Sequence, residues 1–245
     1  MKCLILAAGY ATRLYPLTEN FPKPLLKVKG KTILDWLIED IDSMGVVDEY
    51  IVISNHNFAH HFHAWAEKSP QSITVVDDGT VSNETRLGAV KDIQFAMDAL
   101  SIQEDVLIMA GDNLLDFSLT TFIRYAMEKK TSCIMRYYEA SRQKLMKSGV
   151  VTLDEQERVL AMAEKPSEPE SNWCVPAFYY YTAADASRIQ EGIDAGCGTD
   201  APGSYVAWLC KRAPIHAMKM PGSRYDIGNL EGYQKICEEY EGIKC

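Results

Sequence analysis

No stripe of positive charge runs through this chain. Its 25 lysines and arginines are scattered among 34 acidic residues, which leaves a formal net charge of −9 over 245 residues. A protein that grips a nucleic-acid backbone draws much of its affinity from a basic surface, so no nucleic-acid partner is expected. No apolar run approaches the roughly 20 residues of a membrane-spanning helix. The chain starts at once with a strand-like run, Lys2 to Ala7, where a signal sequence would have a charged and then a long apolar stretch. None of the seven cysteines forms a C-x-x-C pair, and their odd number fits disulfides poorly. Cys245, at the last position, does not read as a prenylation box. The expectation is a soluble, cytoplasmic protein with reduced thiols and no membrane partner.

Several familiar loops are missing too. There is no G-x-x-x-x-G-K-[ST] phosphate loop, Gly9 is not followed by the glycines of a dinucleotide fold, and no G-x-S-x-G nucleophile elbow occurs. No hexapeptide-repeat tail is present, so a repeat-built acyltransferase activity is not expected. At 47% hydrophobic and 24% charged, the chain has enough apolar material for a large core without disulfides or structural metal.

What remains is alternation. Cys3–Ala7, Glu49–Ser54, Ser72–Val76 and Asp105–Ala110 read as buried strands. Thr32–Met44, Phe58–Lys68 and Leu87–Leu100 carry apolar residues at helical spacing between them, and Leu119–Lys129 and Ser132–Tyr137 continue the pattern. Strand–helix alternation of this length predicts an α/β fold, a Rossmann-like, mostly parallel mixed sheet flanked by helices. After about residue 140 the pattern changes. A hairpin is expected at Gly149–Leu153 and Arg158–Ala163 and a tyrosine-rich strand at Val175–Thr182. Helices at Ala184–Ala195 and Tyr205–Lys211, a strand at Ile215–Met220 and a helix at Leu230–Tyr240 follow. The whole reads as one domain, residues 1–245, made of a first half at 1–140 and a smaller lobe at 141–245.

Ligands of open α/β sheets bind beyond the carboxyl ends of strands. Two segments sit there. Leu6-Ala7-Ala8-Gly9-Tyr10-Ala11-Thr12-Arg13-Leu14 follows the first strand and leads into Pro22-Lys23-Pro24-Leu25-Leu26. Small residues after a strand let backbone amides approach a polyphosphate, Arg13 adds a bidentate cation and Lys23 a point charge. Gly111-Asp112-Asn113 follows the fourth strand, where a carboxylate is well placed to hold a hard cation.

These motifs resemble the sugar-phosphate nucleotidyltransferases, the NDP-sugar pyrophosphorylases, whose signature is close to L-x-G-G-x-G-T-R-L-x-P-x-T followed by P-K-x-L. This chain departs from it at Ala8 and Ala11, each in place of a glycine. The resemblance continues through Arg86-Leu87-Gly88, Gly111-Asp112-Asn113, Glu164-Lys165-Pro166 and Tyr225-Asp226-Ile227-Gly228. It implies the nucleotide-diphospho-sugar transferase fold and transfer of a nucleoside monophosphate from an NTP to a sugar 1-phosphate, with Mg²⁺ and release of pyrophosphate.

On this resemblance residues 1–140 are the nucleotide-binding half and 141–245 the acceptor-binding half, Arg13 and Lys23 are the catalytic residues, and Leu6, Ala7, Ala8, Gly9, Asn83, Leu87, Gly88 and Asp112 surround the nucleotide. Asn113, Glu164 and Lys165 meet the acceptor, and Asp112 and Asp226 hold the metal, one from each lobe. The expected partners are an NTP and a small phosphorylated acceptor, with homo-oligomerisation left open. Two other readings stay open: a cytidylyltransferase for an alcohol or amino-alcohol phosphate such as phosphocholine, and a non-catalytic nucleotide-sensing module of the same fold. His56, His60, His61 and His63 crowd one segment without cysteine or aspartate partners at zinc spacing, and read as a solvated helix face.

Overall fold

The computed structural model describes residues 1–244, so Cys245 lies outside the described residues. The chain divides into two compact units. The first comprises Met1–Arg86, Ala110–Thr121 and the chain from Pro221 onward; the second comprises Leu87–Met109 and Phe122–Met220. This is not the division expected at residue 140. The chain leaves the first unit twice and returns to it, so Asp226 belongs with Asp112, whereas Leu87 and Gly88 belong with Glu164 and Lys165.

In the first unit Lys2–Leu6 pairs in parallel with Glu49–Ser54, which pairs in parallel with Ile73–Asp77. Their near-continuous Val, Ile and Leu content is what a strand buried on both faces requires. The helices Ile33–Asp42 and His56–Ala66 connect them. The first starts in a reciprocal cap: Asp35 N–H donates to Thr32 Oγ1 at 3.0 Å and Thr32 N–H to Asp35 Oδ2 at 2.9 Å. Its face of Ile33, Leu34, Leu37, Ile38 and Ile41 is buried, as are Leu4, Ile5, Ile51, Val52 and Phe62. A short antiparallel ladder joins Asn113–Leu115 to Arg224–Asp226. Beyond it, the helix Leu230–Glu239 ends at Tyr240, whose buried hydroxyl donates to the Leu115 carbonyl at 2.7 Å.

The second unit is mixed. Phe178–Tyr181 lies antiparallel between Val106–Ala110 and Ser132–Tyr138. Ser132–Tyr138 also pairs in parallel with Ile215–Lys219 and antiparallel with Trp173–Val175. Gly149–Leu153 bridges Trp173–Val175 and Val159–Glu164, the expected hairpin. Two elements differ from expectation. The tyrosine-rich strand is broken at Pro176, which has no N–H for a ladder, into Trp173–Val175 and Phe178–Tyr181. The helix expected at Ala184–Ala195 is two short ones, Ala183–Ala186 and Ile189–Asp194. Among the described residues no helix is long and apolar enough to cross a membrane.

Candidate active site

The loop after the first strand is fixed from both sides. Ala7 N–H donates to the Ile53 carbonyl at 2.9 Å, and the Ala8 carbonyl accepts from Asn55 Nδ2 at 3.0 Å. Asn55 is fully buried, and its Oδ1 also caps the helix His56–Ala66 by accepting from Phe58 N–H at 3.1 Å. One amide thus ties a helix start to the loop. Its place before a helix is all that marks Asn55 in the sequence.

A Cβ on Gly9 would find no atom within 4 Å, so this glycine opens space. Ala11 is left-handed, with φ 46° and ψ 40°. That conformation crowds a Cβ and costs roughly 1 kcal/mol or more, which is the reason for a glycine at this place in the signature. Here it is held by its carbonyl, which accepts from Leu14 N–H at 2.9 Å and from Thr18 Oγ1 at 2.8 Å. The turn Thr12–Leu14 that follows presents Arg13 exposed, with no ion-pair or hydrogen-bond partner among the described residues.

Lys23 has the opposite situation. Its side chain is only 8% exposed, and its ammonium lies 2.7 Å from Asp112 Oδ2 and 3.5 Å from Asp226 Oδ1. The two carboxylates, 39% and 52% exposed, converge because their strands pair, with Asp226 opposite Asn113. Asn113 itself is buried. Its Nδ2 donates to Asp112 Oδ1 at 2.9 Å and its Oδ1 accepts from Arg224 Nη1 at 2.6 Å. The expectation places it against the acceptor; in the structure each end of its amide makes a hydrogen bond, one orienting Asp112 and the other holding the strand beside it. Leu6, Ala7, Gly9, Arg13, Lys23, Asp112 and Gly228 line one cavity of about 240 Å³ in this unit.

Two carboxylates converging on one ammonium leave an excess of negative charge at this spot. Carboxylate oxygens are the donors Mg²⁺ prefers, and the ion takes one or two of them while keeping phosphate oxygens and waters. Asp112 and Asp226 therefore fit the implied metal. No set of three His, Cys, Asp or Glu side chains among the described residues gathers as an alternative. The histidine-rich helix spends His56 Nδ1 on Asp77 at 2.7 Å and His61 Nε2 on the Asn20 carbonyl at 2.8 Å.

The remaining residues divide between the units. Asn83 is exposed on a turn, its Oδ1 accepting from Arg86 Nη1 at 2.8 Å. Gly88 has φ +90°, and a Cβ there would come 2.5 Å from the Thr199 carbonyl oxygen. Its missing side chain is needed by the protein's own backbone, where the sequence suggested room for a base. Glu164 ends its strand opposite Gly149. Burial pushes its carboxyl above the usual 4.5, and Asp200 adds to this, while Lys165 and the Gly203 N–H pull the other way. Lys165 is held at φ 48° with its N–H on the Ser148 carbonyl at 3.0 Å. Asp200 and Gly203 were not read from the sequence; the Ala-Pro-Gly after Asp200 signals only a turn.

The model of one family, described as nucleotidyl transferase, matches residues 2–242. The chain belongs to this family. A UTP–glucose-1-phosphate uridylyltransferase of Haloferax volcanii is 27% identical over 244 residues, 98% of each chain. A bifunctional protein GlmU of Methanocaldococcus jannaschii is 25% identical over 93% of this chain, which spans only 51% of that protein's length. Among solved structures, an apo UDP-glucose pyrophosphorylase superposes with a TM-score of 0.83 at 21% identity, covering 98% of this chain and 97% of that one. That likeness establishes the fold of this nucleotidyl transferase family member: a mixed sheet flanked by helices.

Proposed function

We propose that this protein transfers a nucleoside monophosphate from an NTP to a sugar 1-phosphate, releasing pyrophosphate, in the cytoplasm. The observation that carries this reading is the meeting of Asp112, Asp226 and Lys23 beside a loop that presents an unpartnered Arg13. Glucose 1-phosphate and UTP are the substrates in the name of the uridylyltransferase relative.

Both reactants are anions, so the chain must mainly position them and offset their charge. The amides at the Ala8–Gly9 end of the loop and Arg13 take the triphosphate, with Arg13 meeting the charge that develops on the leaving pyrophosphate. Lys23 serves the α-phosphate region. Asp112 and Asp226 would hold Mg²⁺, which supplies charge neutralisation to the phosphates when bound. Glu164 accepts from acceptor hydroxyls and Lys165 takes the acceptor phosphate. An oxygen of that phosphate attacks the α-phosphorus, and the bond to pyrophosphate breaks. No general base is needed, because the attacking oxygen is already ionised at neutral pH.

The test is a pyrophosphate-release screen of the common NTPs against sugar phosphates and alcohol phosphates, with and without EDTA. Release with a sugar 1-phosphate that EDTA abolishes and Mg²⁺ restores supports the reading. Release only with an alcohol phosphate replaces it with the cytidylyltransferase. NTP binding with no release from any acceptor replaces it with the sensing module.

A further inference from the structure

A second cavity of the first unit, of about 550 Å³, shares no lining residue with the one beside Arg13 and Asp112. Its volume falls in the range of small-molecule sites, roughly 300–1,000 Å³. It opens between the helices Ile33–Asp42 and His56–Ala66, over the buried side chains of Leu25 and Ile38. Three rings line it. Phe21 meets His61 edge-on with centroids 4.9 Å apart, and the Trp65 indole N–H donates across to Asp35 Oδ1 at 2.9 Å.

The wall's polar groups are mostly spent on one another. Asp35 Oδ2 accepts from Thr32 N–H, so both oxygens of this carboxylate are engaged, and Glu39 pairs with Lys31. Ser69 Oγ donates to Gln71 Oε1 at 2.8 Å, and Gln71 Nε2 to Asp42 Oδ2 at 3.3 Å. Lys27 and Lys68 stand apart from this. Both are exposed lining residues, and neither ammonium has an ion-pair or hydrogen-bond partner among the described residues. The Lys27 carbonyl accepts from the Tyr233 hydroxyl at 2.8 Å, which fixes the backbone from which that side chain extends. With Glu39 balanced by Lys31, the wall sets two free ammoniums against the single carboxylate of Asp35. A neutral polyol would find few free polar partners here. A flat ring can pack against the aromatic side chains, and a negative group on it meets the lysines.

The cavity reaches the other site through one turn. Leu25 lines it, two residues after Lys23, whose ammonium meets Asp112. The turn Lys23–Leu25 is closed by Leu25 N–H on the Pro22 carbonyl at 3.1 Å and Leu26 N–H on the Lys23 carbonyl at 3.0 Å. The Leu26 carbonyl in turn accepts from Ile33 N–H at 3.1 Å, at the start of a helix that walls the cavity. A group that displaces Leu25 therefore carries Lys23 with it.

We propose that this cavity is a second small-molecule site, taking an aromatic ring that bears an acidic group, and that its occupant alters turnover by moving Lys23. The ring packs among Phe21, His61 and Trp65, and Lys27 and Lys68 meet the acidic group. The site itself is independent of the nucleotidyl-transfer reading; its effect on turnover rests on the part Lys23 plays there.

The test uses two probes, 8-anilinonaphthalene-1-sulfonate and N-phenyl-1-naphthylamine, which share a ring skeleton and differ in the sulfonate. Fluorescence titration should show the sulfonate bound at least about tenfold tighter than the neutral probe. That preference should fall toward 1 in the Lys27→Gln/Lys68→Gln double variant. Ala64→Phe, which fills the cavity from an exposed position, should weaken the sulfonate at least as much. None of these residues is assigned to a substrate, so both variants should keep wild-type pyrophosphate release, and melting temperatures check their folding. The sulfonate should change release several-fold at saturating substrates in the wild type and leave it unchanged in Ala64→Phe. A sulfonate that still binds Ala64→Phe, or a neutral probe that binds equally well, overturns the site. Competitive displacement by NTP places the probe beside Arg13 and overturns it too. Lysine-dependent binding with unaltered release overturns the link to Lys23. If the wild type releases no pyrophosphate from any acceptor, the transfer reading fails, the binding measurements still decide the site, and the link is read from a change in NTP affinity.

Discussion

Asp226 sits next to Asp112 because Asp226 and Asn113 are direct partners in a three-residue antiparallel ladder. The ladder, with Asn113 donating to Asp112 Oδ1 at 2.9 Å, sets both carboxylates on the ammonium of Lys23. Residues held this way should act as a unit. Asp112→Asn and Asp226→Asn are each expected to lower pyrophosphate release by roughly 10²–10³-fold, and the double variant by little more than either one. Both side chains are substantially exposed, so melting temperatures should change little. Steady-state kinetics with Mg²⁺ checks this; a fully active Asp226→Asn would make that residue a turn former only.

Arg13→Ala should reduce kcat by roughly 10²–10³-fold while leaving acceptor affinity nearly unchanged. Arg13→Lys should be impaired as well, since one point charge does not reproduce the guanidinium fork. An Arg13→Ala enzyme with wild-type turnover removes the residue from the reaction.

Ala11→Gly should stabilise the fold by up to about 1 kcal/mol, the relief of the left-handed Cβ less the added freedom of the unfolded chain. Ala11→Val should destabilise by about 1–3 kcal/mol, because a branched side chain is worse at φ 46°. Urea melts of the two variants measure both, and equal stabilities would show that the loop relaxes in solution.

Gly203→Ala should cost about 1–3 kcal/mol, since its Cβ would meet Glu164 Oε1 at 2.0 Å and Met162 Cε at 2.4 Å. Displacing Glu164 should raise the acceptor KM several-fold while NTP affinity is retained. Lys165→Ala should raise the acceptor KM likewise. Calorimetry that found equal loss of NTP binding would move these residues to the other substrate.

Burial raises the Glu164 carboxyl above 4.5, so the folded protein tolerates its protonated form better than the unfolded chain does. Its contribution to stability is full below about 4.5 and is lost as pH rises through the raised value. If Glu164 accepts from acceptor hydroxyls as proposed, acceptor binding should strengthen over the same window as the carboxyl ionises. Glu164→Gln should flatten the acceptor-binding profile there, and a wild type with a flat profile would exclude the ionised carboxylate from recognition.

Much of this was readable in the sequence. Glu49–Ser54 is a strand with the expected bounds, and the helices of the first unit begin within two residues of their expected starts, because apolar periodicity and caps act locally. Pro176 was a visible signal that the tyrosine-rich strand must break. The ladder was not readable: Asn113–Leu115 and Arg224–Asp226 are three residues each, too short for a pattern, and far apart in the chain. That is why Asp226 was expected in another lobe, and why the bond from Asn113 to Asp112 was not foreseen. The Thr199–Gly203 contacts on Gly88 and Glu164 likewise arise only in three dimensions.

The same ladder brackets a long excursion. The chain leaves the first unit after Thr121 and re-enters it at Pro221, and its exit and return are stitched together by Asp116 N–H on the Ser223 carbonyl at 3.2 Å and Ser223 N–H on Asp116 Oδ1 at 2.6 Å. The stretch that carries Glu164, Lys165 and Asp200 is thus a cassette whose two ends are clipped side by side. The clip fixes both ends of the excursion without the help of anything in between, so changes of length at its exposed loops need not move Asp112 or Asp226.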